Sequence, residues 1–208
     1  MASTREHWEE VYGRVAVDRV SWYRPHLEQS LALIESASSD RSAAIIDVGG
    51  GASTLADDLL ARGFTNLTVL DISAMAIDAA RGRLGARAGS VHWLTADVTR
   101  ASFPPAAYDL WHDRAVFHFL REEAERQRYL AAVRKAVKPG GHVLIATFGP
   151  DGPERCSGLE VVRYTPEALD AEFGRDFVRA RSVREVHQTP AGKDQPFTYC
   201  LFRFVPTA

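Results

Sequence analysis

The sequence predicts an α/β fold in which a mostly parallel β-sheet lies between two layers of helices. Three observations carry this prediction. From residue 43 onward, short runs of apolar, often β-branched residues alternate with helix-length amphipathic segments. Three glycines at positions 49–51 directly follow the first of these runs. Near residue 180, two strand-like runs joined by a turn begin, and they predict an antiparallel hairpin.

The first half of this alternation predicts three strands and two helices. Each strand is a short run rich in Val, Ile or Leu that ends at Gly or Asp, and each helix has amphipathic spacing. Ser73 can cap the second helix, and Gly63 follows the end of the first. In chain order the predicted elements are a strand at 43–48, a helix at 53–62, a strand at 67–70, a helix at 73–84 and a strand at 90–94.

The second half predicts the rest of the sheet. Apolar residues recur at helical spacing up to residue 137, and the Lys-Pro-Gly-Gly run at 138–141 is expected to end that helix. The Gly/Pro-rich segment at 149–158 is expected to be an ordered loop over a site. The predicted elements are a strand at 108–112, a helix at 122–137, a strand at 142–148, a helix at 166–173, and two hairpin strands at 179–189 and 197–205 joined at 190–194.

The composition fits one globular domain. The chain has 208 residues, of which 46% are hydrophobic and 25% charged, and this excludes a disordered or fibrous protein. A net charge of -2 without a dense basic run argues against a nucleic-acid partner. Cys156 and Cys200 lack metal-ligand spacing and are expected to be reduced thiols.

The sequence also argues against a membrane partner. Its apolar runs are strand-sized, far below the roughly 20 residues that span a bilayer. The polar, acidic start lacks the basic patch and apolar run of a secretion signal. We therefore expect a cytoplasmic protein, whose oligomeric state the sequence leaves open and which is compatible with a monomer.

The glycines and two aspartates predict a nucleotide-type site. Glycines after a strand let the backbone approach a ligand, and the following helix presents free N–H groups. Tight turns also use glycine for steric reasons alone, but the spacing favours a ligand. Asp71 closes the second strand 22 residues after Gly49, where a carboxylate can accept both hydroxyl protons of a ribose, and Asp97 follows the third strand. Thr54 occupies the third glycine place of a dinucleotide-binding GxGxxG pattern, which argues against a nicotinamide cofactor.

These motifs resemble the class I S-adenosylmethionine-dependent methyltransferases. The resemblance rests on the Asp-Val-Gly-Gly-Gly run at 47–51, on Asp71 and Asp97, and on the Lys-Pro-Gly-Gly turn, and it covers roughly residues 43–148. It implies a Rossmann-like, seven-stranded, mostly parallel sheet with helices on both faces and a C-terminal antiparallel hairpin. It also implies S-adenosylmethionine as the cofactor.

The resemblance assigns roles to individual residues. Gly49 and Gly51 would border the methionine part of the cofactor, with Gly50 at a place where the family often has cysteine or serine. Asp47 would orient the turn or the cofactor's ammonium group. The other expected cofactor contacts are Asp71 and Ile72 at the ribose, Asp97 and Val98 at the adenine, and in addition Trp22 and Asp113.

The acceptor side is predicted from the run at 111–119, which is similar to the motif after strand four in thiopurine and other small-thiol methyltransferases. The aromatic residues between 7 and 23 resemble the lid of those enzymes. The chain is thus expected to form a single methyltransferase domain, 1–208, with a lid and helix at 1–42 and a catalytic core at 43–208. The expected catalytic residues are His112, Asp113 and Arg114, and the expected substrate contacts are Tyr12, Tyr23, Arg114, His118, Phe148 and Cys156.

Each acceptor-side residue also has a purely structural interpretation. The aromatic side chains of Trp8, Tyr12 and Trp22 could pack an amphipathic helix on the core. Asp113 could cap a helix beside a local ion pair with Arg114. Histidine and cysteine at the remaining positions are common as buried core residues.

Three functional hypotheses follow. Methyl transfer from a sulfonium is an in-line displacement that needs a positioned nucleophile and exclusion of water. The first hypothesis is transfer to a small molecule, best a thiol or related sulfur or selenium nucleophile, because a thiol loses its proton more readily than an ammonium. The alternative is a protein lysine, and the third is a non-enzymatic binding module.

Two other branches of the family are disfavoured. No Asn-Pro-Pro-Tyr or Asp-Pro-Pro-Tyr run follows strand four, which argues against DNA methylation. Metal-dependent methylation would need several converging carboxylates, and only Asp151 and Glu154 follow strand five. No metal is therefore expected.

Overall fold

A seven-stranded sheet forms the centre of the molecule, and the computed structural model describes residues 4–207. The strands in this range are β1 Ile45–Val48, β2 Leu67–Asp71, β3 Val91–Thr95, β4 Tyr108–Arg114, β5 Val137–Phe148, β6 Arg155–Cys156, β7 Leu159–Glu160, β8 Phe177–Gln188 and β9 Asp194–Phe204. The helices are α1 Arg5–Arg14, α2 Glu28–Ala37, α3 Leu55–Ala61, α4 Ala74–Leu84, α5 Glu123–Ala136 and α6 Pro166–Phe173, and short 3-10 helices lie at Gly85–Ser90 and Phe117–Phe119.

The strand order is β3-β2-β1-β4-β5-β9-β8. Strands β1 to β5 are parallel, whereas β9 runs antiparallel to β5 and β8. The predicted fold, a mostly parallel seven-stranded sheet with an antiparallel hairpin after it, is confirmed. Because the order reverses between β1 and β4, the carboxyl ends of the strands leave a crevice there, which is where ligands bind in open α/β sheets.

Side chains alternate between the two faces of the sheet along its central strands, and helices bury both faces. On one face, Ile46, Trp111 and Val143 pack in a cluster with residues of α5 and α6. On the other face, Ile45 and Leu144 pack with residues of α2 and α3. These two layers fix the positions of the strand ends that form the crevice.

The Lys-Pro-Gly-Gly run at 138–141 does not form a turn after a helix. Helix α5 ends at Ala136, and β5 begins at the next residue, so the run lies inside the strand. The pairing of β4 with β5 shifts register between Tyr108 and Leu110, which face Val137 and His142, so the run forms a bulge. Gly140 has a φ of +80°, a conformation that glycine adopts without strain.

The segments that cover the crevice differ in detail from the predictions. Helix α1 spans only the first part of the aromatic-rich piece predicted at 7–23, and the chain from 15 to 27 continues without a further helix. The Gly/Pro-rich loop after β5 carries the small antiparallel pair β6–β7 near its end. Within residues 4–207, no helix has both the length and the apolar character required to cross a bilayer.

Candidate functional site

A cavity of about 400 Å³ lies at the carboxyl ends of β1 to β4. Helix α1, Trp22, the 3-10 helix Phe117–Phe119, the chain from 120 to the first turn of α5 and the β6–β7 pair also contribute to its wall. The predicted site residues that line it are Tyr12, Trp22, Gly49, Asp71, Ile72, Asp97, Val98, Arg114 and Cys156.

A smaller cavity of about 30 Å³ adjoins the first at the glycine turn. The two share Tyr12, Trp22, Gly49 and Arg114 in their walls. The predicted residues that line only the smaller one are Tyr23, Asp47, Gly50 and His112. The predicted residues that line neither are Gly51, Asp113, His118 and Phe148.

The turn after β1 requires glycine for two reasons. Gly49 has a φ of +69°, and a Cβ atom there would overlap the Val116 side chain. A Cβ on Gly51 would overlap the Asp71 carboxylate. The turn is therefore packed directly against the ends of β2 and β4, and its backbone borders both cavities.

The two aspartates after β2 and β3 line the larger cavity with different environments. Asp71 is buried, and its carboxylate accepts the Ser73 N–H at 2.9 Å. Burial, together with the charges of Asp47 and Glu9, raises the pKa of Asp71 to about 7 although its backbone hydrogen bonds lower it. Asp97 is only half-buried and accepts both the N–H and the hydroxyl of Thr99 at 2.8 Å.

His112 and Asp47 form a buried pair below the glycine turn. His112 Nδ1 lies 2.7 Å from Asp47 Oδ1, and its Nε2 lies 2.9 Å from the Ser30 hydroxyl. The other oxygen of Asp47, Oδ2, has no hydrogen-bond partner among the described residues. Both ring nitrogens of His112 thus contact protein groups, although the residue borders the smaller cavity.

Asp113 faces away from both cavities and caps the chain that follows β4. Its carboxylate accepts the N–H groups of Val116 and Phe117 and the hydroxyl of Tyr129, the last at 2.6 Å. Burial raises the pKa of Asp113 to about 6 although these hydrogen bonds lower it. The structural interpretation as a cap accounts for every contact that Asp113 makes here.

Arg114 reaches the wall of both cavities. Its Nε donates to the Tyr199 hydroxyl at 3.0 Å and its Nη1 to the Trp22 carbonyl at 3.1 Å, while the guanidinium lies 4.4 Å above the Phe197 ring. Its Nη2 is buried and has no partner within residues 4–207. Glu185, which accepts from the Tyr199 hydroxyl at 2.8 Å, pairs with Arg24.

His118 and Phe148 belong to the core rather than to the cavity wall. Their rings lie 4.8 Å apart, and His118 Nδ1 accepts the Phe148 N–H at 3.4 Å. Burial lowers the pKa of His118 to about 3, so the ring is neutral at physiological pH. Cys156 does line the cavity, but burial raises the pKa of its thiol to about 12.

The aromatic residues of the N-terminal segment pack against one another over the cavity. Trp8 makes edge-to-face contacts with Trp22 at 5.8 Å and with Phe119 at 5.2 Å, and Tyr12 meets Trp22 at 6.1 Å. Burial raises the pKa of the Tyr12 hydroxyl. These rings pack on the core and also form part of the cavity wall. The segment therefore has the contacts expected of an amphipathic helix on the core as well as those expected of a cover over the site.

Several lining residues were not among the predicted site residues. Val116 and Phe119 lie in the run at 111–119, and the similarity of that run to the small-thiol methyltransferase motif could have identified them as lining residues. Trp8 lies in the aromatic segment, but the sequence does not show that α1 turns this side chain toward the cavity. Nothing in the pattern marked Thr99 or Glu160. In the described part of the chain, no three His, Cys, Asp or Glu side chains are grouped to hold a metal ion.

Comparison with known proteins gives a family and several relatives. The methyltransferase-domain family matches residues 46–143, from β1 into β5. The eEF1A lysine and N-terminal methyltransferase of Mus musculus is 24% identical over 210 residues. That match covers 97% of this chain but only 28% of the relative, so the chain spans about a quarter of its length.

Two solved structures share the fold. One, from work on the conversion of a disulfide bond into a thioacetal group during echinomycin biosynthesis, matches with a TM-score of 0.80 at 18% identity and covers 99% of this chain and 94% of that one. The N-methyltransferase NodS of Bradyrhizobium japonicum, in complex with S-adenosylhomocysteine, matches with a TM-score of 0.70 at 17% identity and covers 94% and 97%. The family match, just under half of the chain, spans the strands that position the cavity, and together with the shared fold it makes the chain similar to the class I S-adenosylmethionine-dependent methyltransferases.

Proposed function

We propose that this chain transfers a methyl group from S-adenosylmethionine to a small-molecule nucleophile, best a thiol or a related sulfur or selenium group. The observation that carries the acceptor class is Arg114, a half-buried cation in the cavity wall whose buried Nη2 has no hydrogen-bond partner among the described residues. The proposal includes the single-domain division into an N-terminal lid and a core. It also includes a cytoplasmic location and no nucleic-acid partner.

The residues around the glycine turn fit the cofactor. The Asp47 carboxylate has a buried oxygen without a partner beside the smaller cavity, as an ammonium group requires. Asp71 and Asp97 line the larger cavity, where ribose hydroxyls and an adenine need acceptors. When bound, S-adenosylmethionine supplies an electrophilic methyl group on a sulfonium.

The charge of Arg114 favours an anionic nucleophile. A nearby cation stabilises a thiolate and destabilises an ammonium group, so it assists deprotonation of a thiol. The Arg114 charge also acts on the Cys156 thiol across the cavity, where it opposes the rise in pKa that burial causes. Since His118 faces the core, Arg114 rather than a histidine base is the group that this side of the cavity offers.

The remaining contribution of the protein is to orient the acceptor and to exclude water. The rings of Trp8, Tyr12, Trp22 and Phe119 form an apolar wall above the cavity. Such a wall removes competing water and strengthens the electrostatic effect of Arg114. No proton transfer by the protein is needed once the thiolate has formed.

A protein lysine remains the second candidate acceptor. Two observations favour it: the similarity to the eEF1A lysine and N-terminal methyltransferase over nearly the whole chain, and the carboxylates of Glu122, Glu125 and Glu160 in the cavity wall. Carboxylates attract a cationic side chain, whereas Arg114 repels it.

The test combines binding with an acceptor screen. We expect calorimetry to detect S-adenosylhomocysteine binding, and a screen of thiols, selenols, amines and carboxylates to give the fastest transfer with a thiol or a selenol. Arg114→Met should leave the dissociation constant for S-adenosylhomocysteine within a few-fold and lower kcat by tenfold or more, about the effect of one charged hydrogen bond. Arg114→Lys should restore part of kcat.

Controls separate the candidates. Arg163→Ala, which removes an arginine that pairs with Glu154 outside the cavity, should keep full activity. Radiolabelled cofactor in a cell lysate would label a protein band if lysine is the acceptor and only small products if a thiol is. Binding without transfer to any class would leave the non-enzymatic module, and no binding at micromolar protein would contradict all three hypotheses.

A further inference from the structure

Three buried side chains from separate elements are joined in a line below the glycine turn. Ser30 lies on α2, His112 on β4 and Asp47 on β1, and their relative exposures are 0%, 1% and 4%. Two short hydrogen bonds connect them, 2.9 Å from Ser30 to His112 and 2.7 Å from His112 to Asp47. A buried polar group costs free energy unless it is paired, so this line of bonds stabilises each of its members.

The partners determine which nitrogen of His112 carries hydrogen. A carboxylate only accepts, so Nδ1 donates its hydrogen to Asp47 Oδ1. In the neutral ring Nε2 is then an acceptor, and the Ser30 hydroxyl donates to it. Ser30 therefore favours the tautomer in which the ring donates to Asp47.

The far end of the line points at the glycine turn. Asp47 Oδ2 has no partner among the described residues, and a Cβ atom on Gly50 would overlap this oxygen. The smaller cavity, about 30 Å³, is lined by Asp47, Gly50 and His112. This volume accommodates one or two water-sized groups, since a single water needs about 10–15 Å³ by the same measure. An ammonium group has this size.

The distances match those of a Ser-His-Asp nucleophile triad, but the burial does not. Ser30 is inaccessible and lines neither cavity, so no substrate carbonyl can reach its hydroxyl. In a nucleophile triad the serine carries the atom that meets the substrate. Here it is the aspartate that has an unpartnered atom beside a cavity. The serine and histidine act on the aspartate.

We propose that Ser30 and His112 are positioning residues that hold the Asp47 carboxylate, with one oxygen free, for the ammonium group of the cofactor. This inference rests on the proposed function, because it concerns the binding of the same cofactor. Helix α2 thereby contributes to cofactor affinity although Ser30 does not border the binding cavities.

Two substitutions at one position separate the positioning role from packing. In His112→Asn the amide nitrogen takes the place of Nδ1 and still donates to Asp47, whereas in His112→Gln it takes the place of Nε2 and keeps only the bond with Ser30. We expect His112→Asn to stay within about threefold of wild type in the dissociation constant for S-adenosylhomocysteine. We expect His112→Gln to raise it about ten- to a hundredfold, the effect of losing one hydrogen bond to a charged group.

Helix α2 offers a milder variant and its control. Ser30→Ala should raise the dissociation constant about three- to tenfold, the effect of a hydrogen bond to a neutral group. Ser36→Ala removes a hydroxyl that donates only to the Leu33 carbonyl of the same helix and should leave affinity unchanged. Calorimetry gives the affinities, and thermal unfolding of each ligand-free variant shows whether it folds.

The experiment distinguishes failure of the proposed function from failure of the positioning role of Ser30 and His112. If wild type fails to bind S-adenosylhomocysteine, the proposed function fails. If wild type binds and His112→Asn and His112→Gln bind equally well, or lose affinity equally in proportion to their stability, the positioning role is wrong. If either His112 variant does not fold, an affinity of Ser30→Ala equal to that of Ser36→Ala overturns the inference.

Discussion

Asp71 has to be charged for its expected role, yet its surroundings favour the neutral acid. Burial, together with the charges of Asp47 and Glu9, raises its pKa to about 7. A carboxylate that accepts two ribose hydroxyls must be ionised, so binding of a nucleoside would be coupled to loss of this proton. The proposed role of Asp71 therefore predicts that cofactor affinity depends on pH near neutrality.

We expect the affinity of wild type for S-adenosylhomocysteine to fall as the pH drops below about 7, by up to about tenfold per pH unit. Asp71→Asn should bind about tenfold or more weakly at pH 8 and lose this pH dependence. Calorimetry between pH 5.5 and 8.5 measures both. Asp78→Asn, on the exposed side of α4, serves as the control and should follow wild type. A flat wild-type profile would contradict the assignment.

The same group affects the stability of the ligand-free protein in the opposite sense. Because its pKa is raised on folding, the folded state holds a proton that the unfolded chain has released between about pH 4 and pH 7. Stability from this group therefore falls as the pH rises through that window. The Asp71→Asn variant should consequently melt a few degrees higher than wild type at pH 8, although it binds less well.

At the same scale, the sequence identified the run at 112–114 but not the direction of each side chain. Strand β4 continues through Arg114, so side chains alternate: His112 and Arg114 face the N-terminal segment, and Asp113 faces Tyr129. The sequence interpretation ended the strand at His112 and placed all three beside the crevice. The opposite directions of these side chains follow from the continuation of β4 to Arg114, and the pairing of β4 with β5 determines that extent.

Among the elements, α1 is held to the rest of the molecule by its aromatic side chains and by a polar contact. It has no fully buried residue, and its polar anchor is Glu9, whose carboxylate caps the start of α4. Glu9 accepts the N–H of Ala74 at 2.8 Å, the hydroxyl of Ser73 at 3.0 Å and the N–H of Met75 at 3.3 Å. A negative charge at a helix N-terminus is favourable, so this contact stabilises α1 beside the strand end that carries Asp71.

We expect Glu9→Ala to loosen α1 without unfolding the core. Amide exchange over residues 5–14 should accelerate about tenfold, since a charged cap contributes about 1–2 kcal/mol. Hydrogen exchange with mass spectrometry measures this by segment. The matched control is Glu10→Ala, because Glu10 pairs only with Arg14 on the exposed side of the same helix. Unchanged exchange at 5–14 in the Glu9 variant would contradict the anchoring role.

The sequence predicted α4 as a helix and the segment at 7–23 as an aromatic-rich lid, but it did not predict the contact between α1 and α4. A glutamate on an exposed helix carries no signal of a partner 64 residues away, whereas Ser73 could be recognised as a cap from its local position. The bulge at 138–141 is a similar case. Proline and glycines normally end a helix, and only the pairing of β5 with β4 shows that they open a strand.

For the whole molecule, the alternation from residue 43 onward was sufficient to predict the sheet and its two helical layers, because burial on both faces leaves a pattern in the sequence. The buried titratable groups leave no such pattern in the sequence. Four buried groups in the described chain have pKa values shifted by their surroundings, to about 3 for His118, about 4 for His187, about 6 for Asp113 and about 7 for Asp71. Burial is the largest cause in each.

These four groups act in opposite senses on stability. Each histidine has a lowered pKa, so its contribution to stability is lost as the pH falls below about 6.5. Each aspartate has a raised pKa, so its unfavourable contribution is relieved over the same range. Between about pH 4.5 and 6 the contributions of the two pairs largely cancel.

We expect urea unfolding of the ligand-free protein to show little net pH dependence from these groups at pH 4.5 to 6. His118→Asn keeps an acceptor for the Phe148 N–H but removes one titrating group. Its stability should therefore fall as the pH rises, by up to about 1.4 kcal/mol per pH unit relative to wild type. The exposed His92 gives the control variant His92→Asn, whose slope should match wild type. Equal slopes in all three proteins would contradict this balance.

The hairpin of β8 and β9 also has a consequence for the order in which the ribosome completes the molecule. The strands that carry the glycine turn and Asp71 emerge early, whereas Tyr199 and Glu185, which orient Arg114 and hold Arg24, are made only with the hairpin. Segments synthesised first generally fold first. Within these residues, the strands proposed to hold the methyl donor are therefore made before the hairpin residues that orient Arg114, the group proposed to select the acceptor.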